Sequence, residues 1–387
     1  MRRFRRSRSR YTSDYRRKRS TVVLRVVLAV LACAALFAVG FFVLEPWLDR
    51  VLPNGETPSS TAAPEPTAAP TASPTVSPTP EPTPTPAPVS VSYRLTDEEL
   101  TDPAKRTAAL AAAKAGGADT ILLPLKGEDG RLRYQSETAE AKRIGAVLGN
   151  AVDLPAVLTE IKEAGFSAAA SLTVFDEPYT AAKDRKTAIK HNHSASVRWY
   201  DRDGNYWQDP GLAAARDYEL ALIAELAACD LSYVELSGCH YPVWGSLTGC
   251  TPDETHTREE NIVSFLSEAQ TILHEAGSRL TFTLPADAVA ADRHERYAFY
   301  GFPDDLSKIP CDTLCVDLRL DRILTHSYPA LTLNGTVYED LSDEETFLPL
   351  LYHASAARAA GIGARVGSFD AANRLKEEGA KDLILTR

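Results

Sequence analysis

The hydrophobic pattern divides the chain into parts with different periodicity. Nineteen consecutive uncharged residues occupy 26–44, and no apolar periodicity follows until about residue 90. Beyond that point, short β-rich runs alternate with alanine-rich amphipathic stretches, which is typical of a parallel α/β fold. The predicted organisation is a basic tail at 1–25, a transmembrane helix at 26–44, a disordered stalk at 45–90 and a globular domain at 91–387.

The apolar run 26–44 predicts a membrane anchor. At about 1.5 Å per residue, a helix of this length crosses a hydrocarbon core of roughly 30 Å. Ten basic residues and one acidic residue lie in 1–20, so the positive-inside rule places the N-terminus in the cytoplasm and the C-terminal domain outside the cell. A cleaved signal peptide and a lipoprotein processed at Cys33 are alternatives, but the long apolar run after Cys33 favours an uncleaved anchor. We therefore expect a single-pass protein of the cell membrane, with the lipid bilayer as a partner through 26–44.

The stalk is defined by its composition. Twelve of the 25 prolines lie between residues 53 and 90, mixed mainly with threonine, alanine and serine. Repeated Thr-Pro steps cannot build a core and favour an extended polyproline II chain of about 3.1 Å per residue. Fully extended, the stalk would hold the domain roughly 100 Å from the membrane.

The globular domain shows seven clear strands. They are predicted at 120–125, 166–175, 233–237, 280–284, 313–318, 362–369 and 382–386, with helices near 103–115, 153–164, 211–228, 257–276, 343–360 and 370–379. Seven strands are one short of a (β/α)₈ TIM-like barrel, and we expect the eighth, or an irregular part of the barrel, within 319–340. A doubly wound open sheet is the alternative. No glycine-rich phosphate-binding loop follows the first of these strands, so no nucleotide or other cofactor is predicted.

Charge and cysteine content narrow the classes of partner. The chain carries a net charge of −10 despite its basic N-terminal tail, so the domain would repel phosphate and nucleic acid is excluded as the main partner.

No closely spaced set of histidine, cysteine and acidic residues resembles a zinc site, because His191 and His193 stand alone in a polar stretch. No metal is predicted. Cys239 and Cys250 could form a loop disulfide outside the cell, but the domain has five cysteines, so at least one is unpaired, and buried free thiols are the default expectation.

Several sequence blocks in the domain are distinctive. They are Lys126 and Gly130 after the first of these strands, Val174-Phe175-Asp176 at the end of the second, the block 199–210 rich in tryptophan and aspartate, Tyr233-Val234-Glu235-Leu236 leading to Tyr241-Pro242, and the final helix and strand at 370–386. Together they resemble bacterial glycosyl hydrolase domains with an amylase-like (β/α)₈ barrel, over most of 93–387. The resemblance implies a barrel fold and a cell-wall or surface polysaccharide as ligand.

Three positions depart from the family pattern. Pro124 stands where the family has an aspartate, Ser171 where it has an arginine, and Ser237 where it has an acidic residue. These replacements leave the enzymatic activity uncertain. They favour a non-catalytic descendant that binds polysaccharide or a protein partner, with an active glycoside hydrolase that has relocated its carboxylates as the alternative.

Candidate catalytic residues follow from the ends of the strands, where barrel enzymes place their working groups. Glycoside hydrolysis needs two carboxyl groups, one of them held protonated. The candidates are Glu235, Asp176, Asp287 and Asp317. Since side chains alternate along a strand, Glu235 would point into the barrel one layer below Ser237. A carboxylate there needs a partner, for which we expect Lys126, and a purely structural ion pair is the alternative role.

Aromatic and polar residues in the loops are the candidate ligand contacts. The predicted set is Lys126, Trp199, Trp207, His240, Tyr241 and Trp244. Flat rings beside polar groups suit stacking on the faces of sugars. The alternative is that Trp207 and Tyr241 only wedge their loops onto the rim of the barrel.

Overall fold

Eight parallel strands pair in a closed ring. They are β1 (Ser90–Arg94), β2 (Thr120–Lys126), β3 (Ser167–Thr173), β4 (Tyr233–Ser237), β5 (Arg279–Pro285), β6 (Thr313–Asp317), β7 (Gly363–Val366) and β8 (Asp382–Thr386). Each strand pairs with its neighbours in chain order, and β1 pairs with both β2 and β8. This closure confirms the predicted barrel and excludes the open doubly wound sheet.

The structure is a computed structural model, and all the residues it describes belong to one compact unit. It describes residues 89–243, 245–286, 288, 300–319, 331–333, 336–338, 344–357, 359 and 361–386. The predicted tail (1–25), transmembrane helix (26–44) and nearly all of the stalk (45–90) lie outside these residues. Within the described ranges, no helix combines the length and the apolar character needed to cross a bilayer.

The eighth strand is β1, so its expected position within 319–340 is wrong. Residues Leu331–Leu333 and Thr336–Tyr338 pair with each other in an antiparallel ladder separate from the barrel sheet. The five residues of β1 follow the proline-rich stretch directly and alternate apolar and polar side chains. That alternation suits a barrel strand, since Tyr93 packs outward in the main core while Ser92 faces inward and accepts a hydrogen bond from the Tyr233 hydroxyl at 2.7 Å.

Helices cover the outer face of the barrel. They are α1 (Asp97–Thr101), α2 (Pro103–Ala115), α3 (Ala139–Ile144), α4 (Leu154–Glu163), α5 (Pro178–Lys183), α6 (Ala213–Ala227), α7 (Arg258–Glu275), α8 (Glu344–Ala356) and α9 (Phe369–Glu377). Their ends follow from local chemistry. For example, a capping box between Thr257 and Glu260 starts α7, and Gly277, with φ of 80°, follows its last turn. The apolar side of α7 then packs Phe265 and Leu266 into the main core.

The barrel interior changes from apolar to polar toward the carboxyl ends of the strands. Near the middle, an apolar layer is formed by Leu122, Ala169, Tyr233, Cys315 and Ile384. The next inward-facing positions are polar, and they include Ser171, Glu235 and Arg365, all almost completely buried. Buried polar groups must be paired, so this end of the barrel is where chemistry or binding has to be sought.

Candidate functional site

A cleft of about 460 Å³ lies at the carboxyl ends of the strands. The ends of β3 to β7 form its floor through residues such as Ser237, Asp317 and Arg365. Its walls come from the loops after β2, β3 and β4 and from residues 201–205 and Tyr300. It therefore occupies the place where barrel enzymes bind their substrates.

Glu235 is completely buried beneath this cleft. One of its oxygens, Oε1, accepts a hydrogen bond from the Thr283 hydroxyl at 2.6 Å and pairs with the Arg365 guanidinium. The expected pair between Glu235 and Lys126 is therefore wrong. Glu235 lies one layer below Ser237, which lines the cleft. Its carboxylate is therefore enclosed by the side chains of the barrel interior and does not reach the surface that a ligand would contact.

The Lys126 side chain points away from the barrel interior, toward helix α6. The pairing with β3 shifts between Pro124 and Lys126, so Leu125 is an extra residue and the alternation of side chains is broken there. The Lys126 ammonium consequently reaches the Glu219 carboxylate on α6 at 2.5 Å and lies 3.5 Å from Glu177. Lys126 is 0% exposed. The prediction that it contacts ligand is wrong, because no ligand in the cleft can reach it.

The network around Lys126 contains more acidic than basic groups. Glu177 and Glu219 are both buried, and the Gln208 amide donates to each of them, at 2.7 and 2.5 Å. Burial raises the pKa of Glu177 even though Lys126 acts in the opposite direction. Glu177 also accepts from the Thr180 amide at 3.0 Å, so the network fixes the start of α5 immediately after Asp176.

Asp317 lines the cleft but is held by arginine side chains. The Arg319 Nε donates to Asp317 at 2.9 Å, and Arg365 Nη1 lies 3.7 Å away. Burial pushes the pKa of Asp317 upward, but the hydrogen bond from Arg319 and the charges of both arginines outweigh it and hold this pKa below its ordinary value. Asp317 is thus ionised at neutral pH and is unsuited to donate a proton.

Asp176 and His240 lie side by side in the cleft. The Asp176 carboxylate, 31% exposed, is 4.0 Å from His240 Nε2. The other ring nitrogen, Nδ1, donates to the Tyr241 carbonyl at 3.0 Å, because a carbonyl can only accept. Edge-to-face packing on Tyr300, with centroids 5.0 Å apart, fixes the imidazole orientation. These two predicted residues are brought together at the cleft surface, whereas Asp287 lies outside the described residues.

The predicted aromatic contacts are mostly buried. Trp199, Trp207 and Tyr241 are at most 1% exposed, and Trp244 lies outside the described residues. Trp199 Nε1 donates to the Ser246 carbonyl at 3.0 Å, and Tyr241 accepts from the Asn261 amide at 2.9 Å. These rings therefore anchor the loops on the barrel rim, and sugar stacking by them is excluded in this conformation.

A tight turn held by Asp201 presents polar groups to the cleft. Asp201 Oδ1 accepts from the amides of Asp203 and Asn205, each at 2.9 Å, and Oδ2 accepts from Trp207 Nε1 at 3.0 Å. Asp203 and Asn205 line the cleft, while Tyr200 beside them is 56% exposed. The Asp-Arg-Asp-Gly-Asn run is typical of a turn, but the sequence analysis predicted no turn here and did not select these aspartates as site residues.

Replacing Asp201 with alanine should loosen this turn. Three donors lose their acceptor, so we expect the free energy of unfolding to fall by about 1–3 kcal/mol and amide exchange to accelerate in residues 201–207. Hydrogen exchange followed by mass spectrometry measures both effects. Unchanged exchange in this segment would show that the Asp201 carboxylate does not hold the turn.

Metal and disulfide chemistry gain no support in the described part of the chain. No group of three histidine, cysteine or acidic residues there could hold a metal ion, and the rings of His191 and His193 simply stack with centroids 4.7 Å apart. Cys239 and Cys250 are free thiols. The disulfide considered between them is therefore not formed in this structure.

Comparison with known proteins identifies the family. Residues 93–290 match the family model described as "Putative glycosyl hydrolase domain". No curated protein shows a significant match to the chain.

Solved structures show a similar fold at low identity. The glycoside hydrolase domain of PgaB (BpsB) from Bordetella bronchiseptica is 11% identical, with 78% of this chain and 94% of that chain covered and a TM-score of 0.53. The catalytic domain of β-amylase from Paenibacillus polymyxa is 9% identical, with 77% and 92% covered and a TM-score of 0.47. The glycoside hydrolase domain of PelA from Pseudomonas aeruginosa is 17% identical, with 77% and 95% covered and a TM-score of 0.39. Since the family model spans just over half of the chain, this protein belongs to the putative glycosyl hydrolase domain family, as a divergent member.

Proposed function

We propose that this protein is a membrane-anchored surface protein whose barrel binds cell-wall or surface polysaccharide in its cleft without cleaving it. The observation that carries the proposal is the state of the carboxylates beneath and around the cleft. Glu235 is buried in an ion pair with Arg365, and Asp317 is held by Arg319 and Arg365. Ser237 ends the strand on which the resembled family carries an acidic residue.

The chemistry of glycoside hydrolysis explains why this matters. One carboxyl group must be protonated to assist the leaving group, while the other acts as nucleophile or base. An ionised Asp317 fixed by two guanidinium groups cannot supply the proton, and Glu235 cannot reach a bound sugar. Binding needs neither role, and the polar groups that line the cleft suit a polyhydroxylated ligand.

The membrane anchor in this proposal rests on the sequence. The uncharged run 26–44 follows a strongly basic tail, which supports a single-pass topology with the barrel outside the cell. The Pro/Thr stalk would then let the cleft reach polysaccharide some distance from the bilayer.

A second candidate function is hydrolysis with relocated carboxylates. Asp176 favours it, because this carboxylate is partly exposed in the cleft beside His240. In this case Asp176 and one further carboxylate, such as Asp287, would share the catalytic work.

One experiment separates the two candidates. The full chain, purified in a detergent without a sugar headgroup, is incubated with cell-wall polysaccharides, and both bound protein and released reducing ends are followed. We expect the protein to be retained without any release. Ser237→Phe, which fills the cleft floor, should abolish retention while thermal unfolding verifies that the variant is folded.

Two further variants make the result decisive. Asp230→Asn changes a carboxylate that is 84% exposed and precedes β4, at the opposite end of the barrel, so it should bind as the unmodified chain does. Release of reducing ends by the unmodified chain that disappears in Asp176→Asn would overturn the binding proposal and establish a hydrolase. Retention unaffected by Ser237→Phe would place binding elsewhere.

A further inference from the structure

A basic surface lies on the rim of the barrel, outside the cleft. The segment 178–200 contains five basic residues and one acidic residue, in a chain whose net charge is −10. It begins with α5 and continues into a small antiparallel sheet formed by Lys190–His191, Ser194–Arg198 and Cys250–Thr251, with Ser194–Arg198 at one edge. This local surplus of positive charge sets the segment apart from the rest of the domain.

Aromatic rings hold the cations of this surface in place. The Tyr179 ring is flanked by the Arg131 guanidinium, 4.5 Å from its centroid, and by the Lys183 ammonium, at 5.4 Å. The Arg198 guanidinium lies 4.3 Å from the centroid of the Tyr206 ring. Cation–π contacts of this kind orient a charge without neutralising it.

Backbone carbonyls join the cations into one surface. Arg198 Nη1 donates at 2.9 Å to the carbonyl of Ala181 in α5, the helix that also carries Lys183. Arg185 donates to the carbonyl of Ser196 in the edge strand. We call this surface the basic rim, and it consists of Arg131, Lys183, Arg185 and Arg198 with the rings of Tyr179, Tyr200 and Tyr206.

The charge of the basic rim is not balanced by carboxylates. Asp184, the acidic residue of this segment, pairs with Arg143. Among the described residues, no carboxylate forms an ion pair with any of the four cations of the rim. A guanidinium has five N–H donors, so each arginine keeps donors that can bind an external anion.

Exposed apolar side chains lie beside these cations. Tyr200 is 56% exposed and Val197 is 47% exposed, and Val89 is the other large hydrophobic residue that is exposed in the described part of the chain. The backbone of Tyr200 pairs with that of Tyr206, whose ring carries Arg198. An accessible tyrosine ring beside arginines is typical of a contact surface. Such a ring also offers a flat face to a sugar.

The edge strand Ser194–Arg198 disfavours an extended peptide as the partner. The Ser196 amide donates to Ser194 Oγ at 3.2 Å, and the Ser196 carbonyl accepts from Arg185. A peptide that adds a strand to a sheet needs these backbone groups free. A partner that supplies anions and needs no backbone pairing fits the basic rim better.

The position of the basic rim disfavours the protein's own bilayer as the partner. The predicted stalk joins the barrel at the amino end of β1, whereas α5 follows the carboxyl end of β3. Because the barrel strands are parallel, these are opposite ends of the barrel. The basic rim therefore lies at the end away from the point where the stalk enters.

We propose that the basic rim binds an acidic polysaccharide whose sugars carry carboxylates. The carboxylates pair with Lys183, Arg185 and Arg198, and a sugar face lies against the exposed ring of Tyr200. This surface goes beyond the proposed function, since none of its cations is among the described residues that line the cleft. It is a second binding surface with its own class of ligand.

The test compares ligands that differ in one feature at a time. Oligogalacturonate, its methyl ester and oligoglutamate of equal charge are titrated calorimetrically into the full chain at neutral pH, in an uncharged detergent without a sugar headgroup. We expect oligogalacturonate to bind about tenfold more tightly than the ester, as a few exposed ion pairs would give, and more tightly than oligoglutamate. Raising the salt concentration should weaken this binding.

Substitutions locate the binding. Replacing Lys183 and Arg185 together with glutamine should lower the affinity for oligogalacturonate about tenfold, and Tyr200→Ser should lower it several-fold without changing that for oligoglutamate. Lys162→Gln is the matched control, because this exposed lysine lies near the end of α4 that precedes β3, at the opposite end of the barrel, and it should change neither affinity. Thermal unfolding verifies that each variant is folded.

The contrary outcomes are distinct. Equal affinity for the acid and its ester, or equally tight binding of oligoglutamate, would overturn the proposal, because either the carboxylate or the sugar would then play no part. Affinity unchanged by the double substitution would also overturn it and place binding elsewhere, such as the basic tail 1–25. Loss of oligogalacturonate binding in Ser237→Phe would place that ligand in the cleft. Binding of oligogalacturonate without retention on wall polysaccharide would overturn the proposed function and leave this inference standing.

Discussion

Replacing Glu235 with glutamine is expected to lower the free energy of unfolding by about 3–5 kcal/mol. The variant keeps the shape of the side chain but removes the charge that pairs with Arg365 inside the barrel. The charged form of Arg94 would also lose a stabilising interaction. Burial and the charge of Arg365 already lower the pKa of Arg94 to about 10, whereas the charge of Glu235 acts to raise it. Urea denaturation at neutral pH measures the loss.

A second Glu-to-Gln substitution, at the protein surface, shows how much of the lost stability is due to the buried position of Glu235 and not to the change of residue type. Glu98→Gln removes a carboxylate whose side chain is 77% exposed and paired with Lys105, and it should leave stability nearly unchanged. Replacing Glu235 and Arg365 together with methionine should recover part of the loss, because neither charge is then left unpaired. A Glu235→Gln variant as stable as Glu98→Gln would show that the interior pair does not hold the barrel together.

Replacing Lys126 with methionine should be similarly destabilising, and the loss should depend on pH. The substitution leaves Glu177 and Glu219 buried without their cation. Burial already raises the pKa of Glu177 above its ordinary 4.5, so the stability that its protonated form contributes is present below about pH 4.5 and is lost as the pH rises through the folded-state pKa. Without Lys126 the pKa of Glu177 rises further. We expect the free energy of unfolding of Lys126→Met to be lower than that of the unmodified chain by about 3 kcal/mol or more near pH 8. This difference should decrease toward about pH 5.

Denaturation curves at several pH values measure this trend. Lys105→Met is the control, since the Lys105 side chain is 50% exposed and its pair with Glu98 is at the surface. A loss of stability in Lys126→Met that stays constant with pH, or increases toward acidic pH, would contradict the conclusion that this network buries more carboxylates than cations.

The fold followed closely from the sequence because its signals are local. Strands such as β4 and β8 are short and contain branched or aromatic residues, and the helix that precedes β8 is followed by Gly379. The first strand, Ser90–Arg94, was missed because five residues beside a proline-rich stretch resemble the end of a linker. Its identity depends on pairing with β8, almost 300 residues away, which no local pattern reveals.

The site was harder to predict because it depends on pairing across the barrel. One extra residue at Leu125 turns Lys126 from the interior toward α6, and a single-residue shift of this kind leaves no clear mark in the sequence. Arg365, the actual partner of Glu235, lies 130 residues further along the chain. The aromatic residues of 199–210 were recognised, but only the packing shows that Trp199 and Trp207 are buried while Tyr200 is exposed.

The most direct test of the account is to measure bound protein and released reducing ends in a single sample of wall polysaccharide incubated with the full chain. We predict saturable retention of the protein on the polysaccharide, with reducing ends at the level of the protein-free sample. Reducing ends that accumulate in proportion to protein and time would contradict the account, because the carboxylates of this barrel would then catalyse hydrolysis.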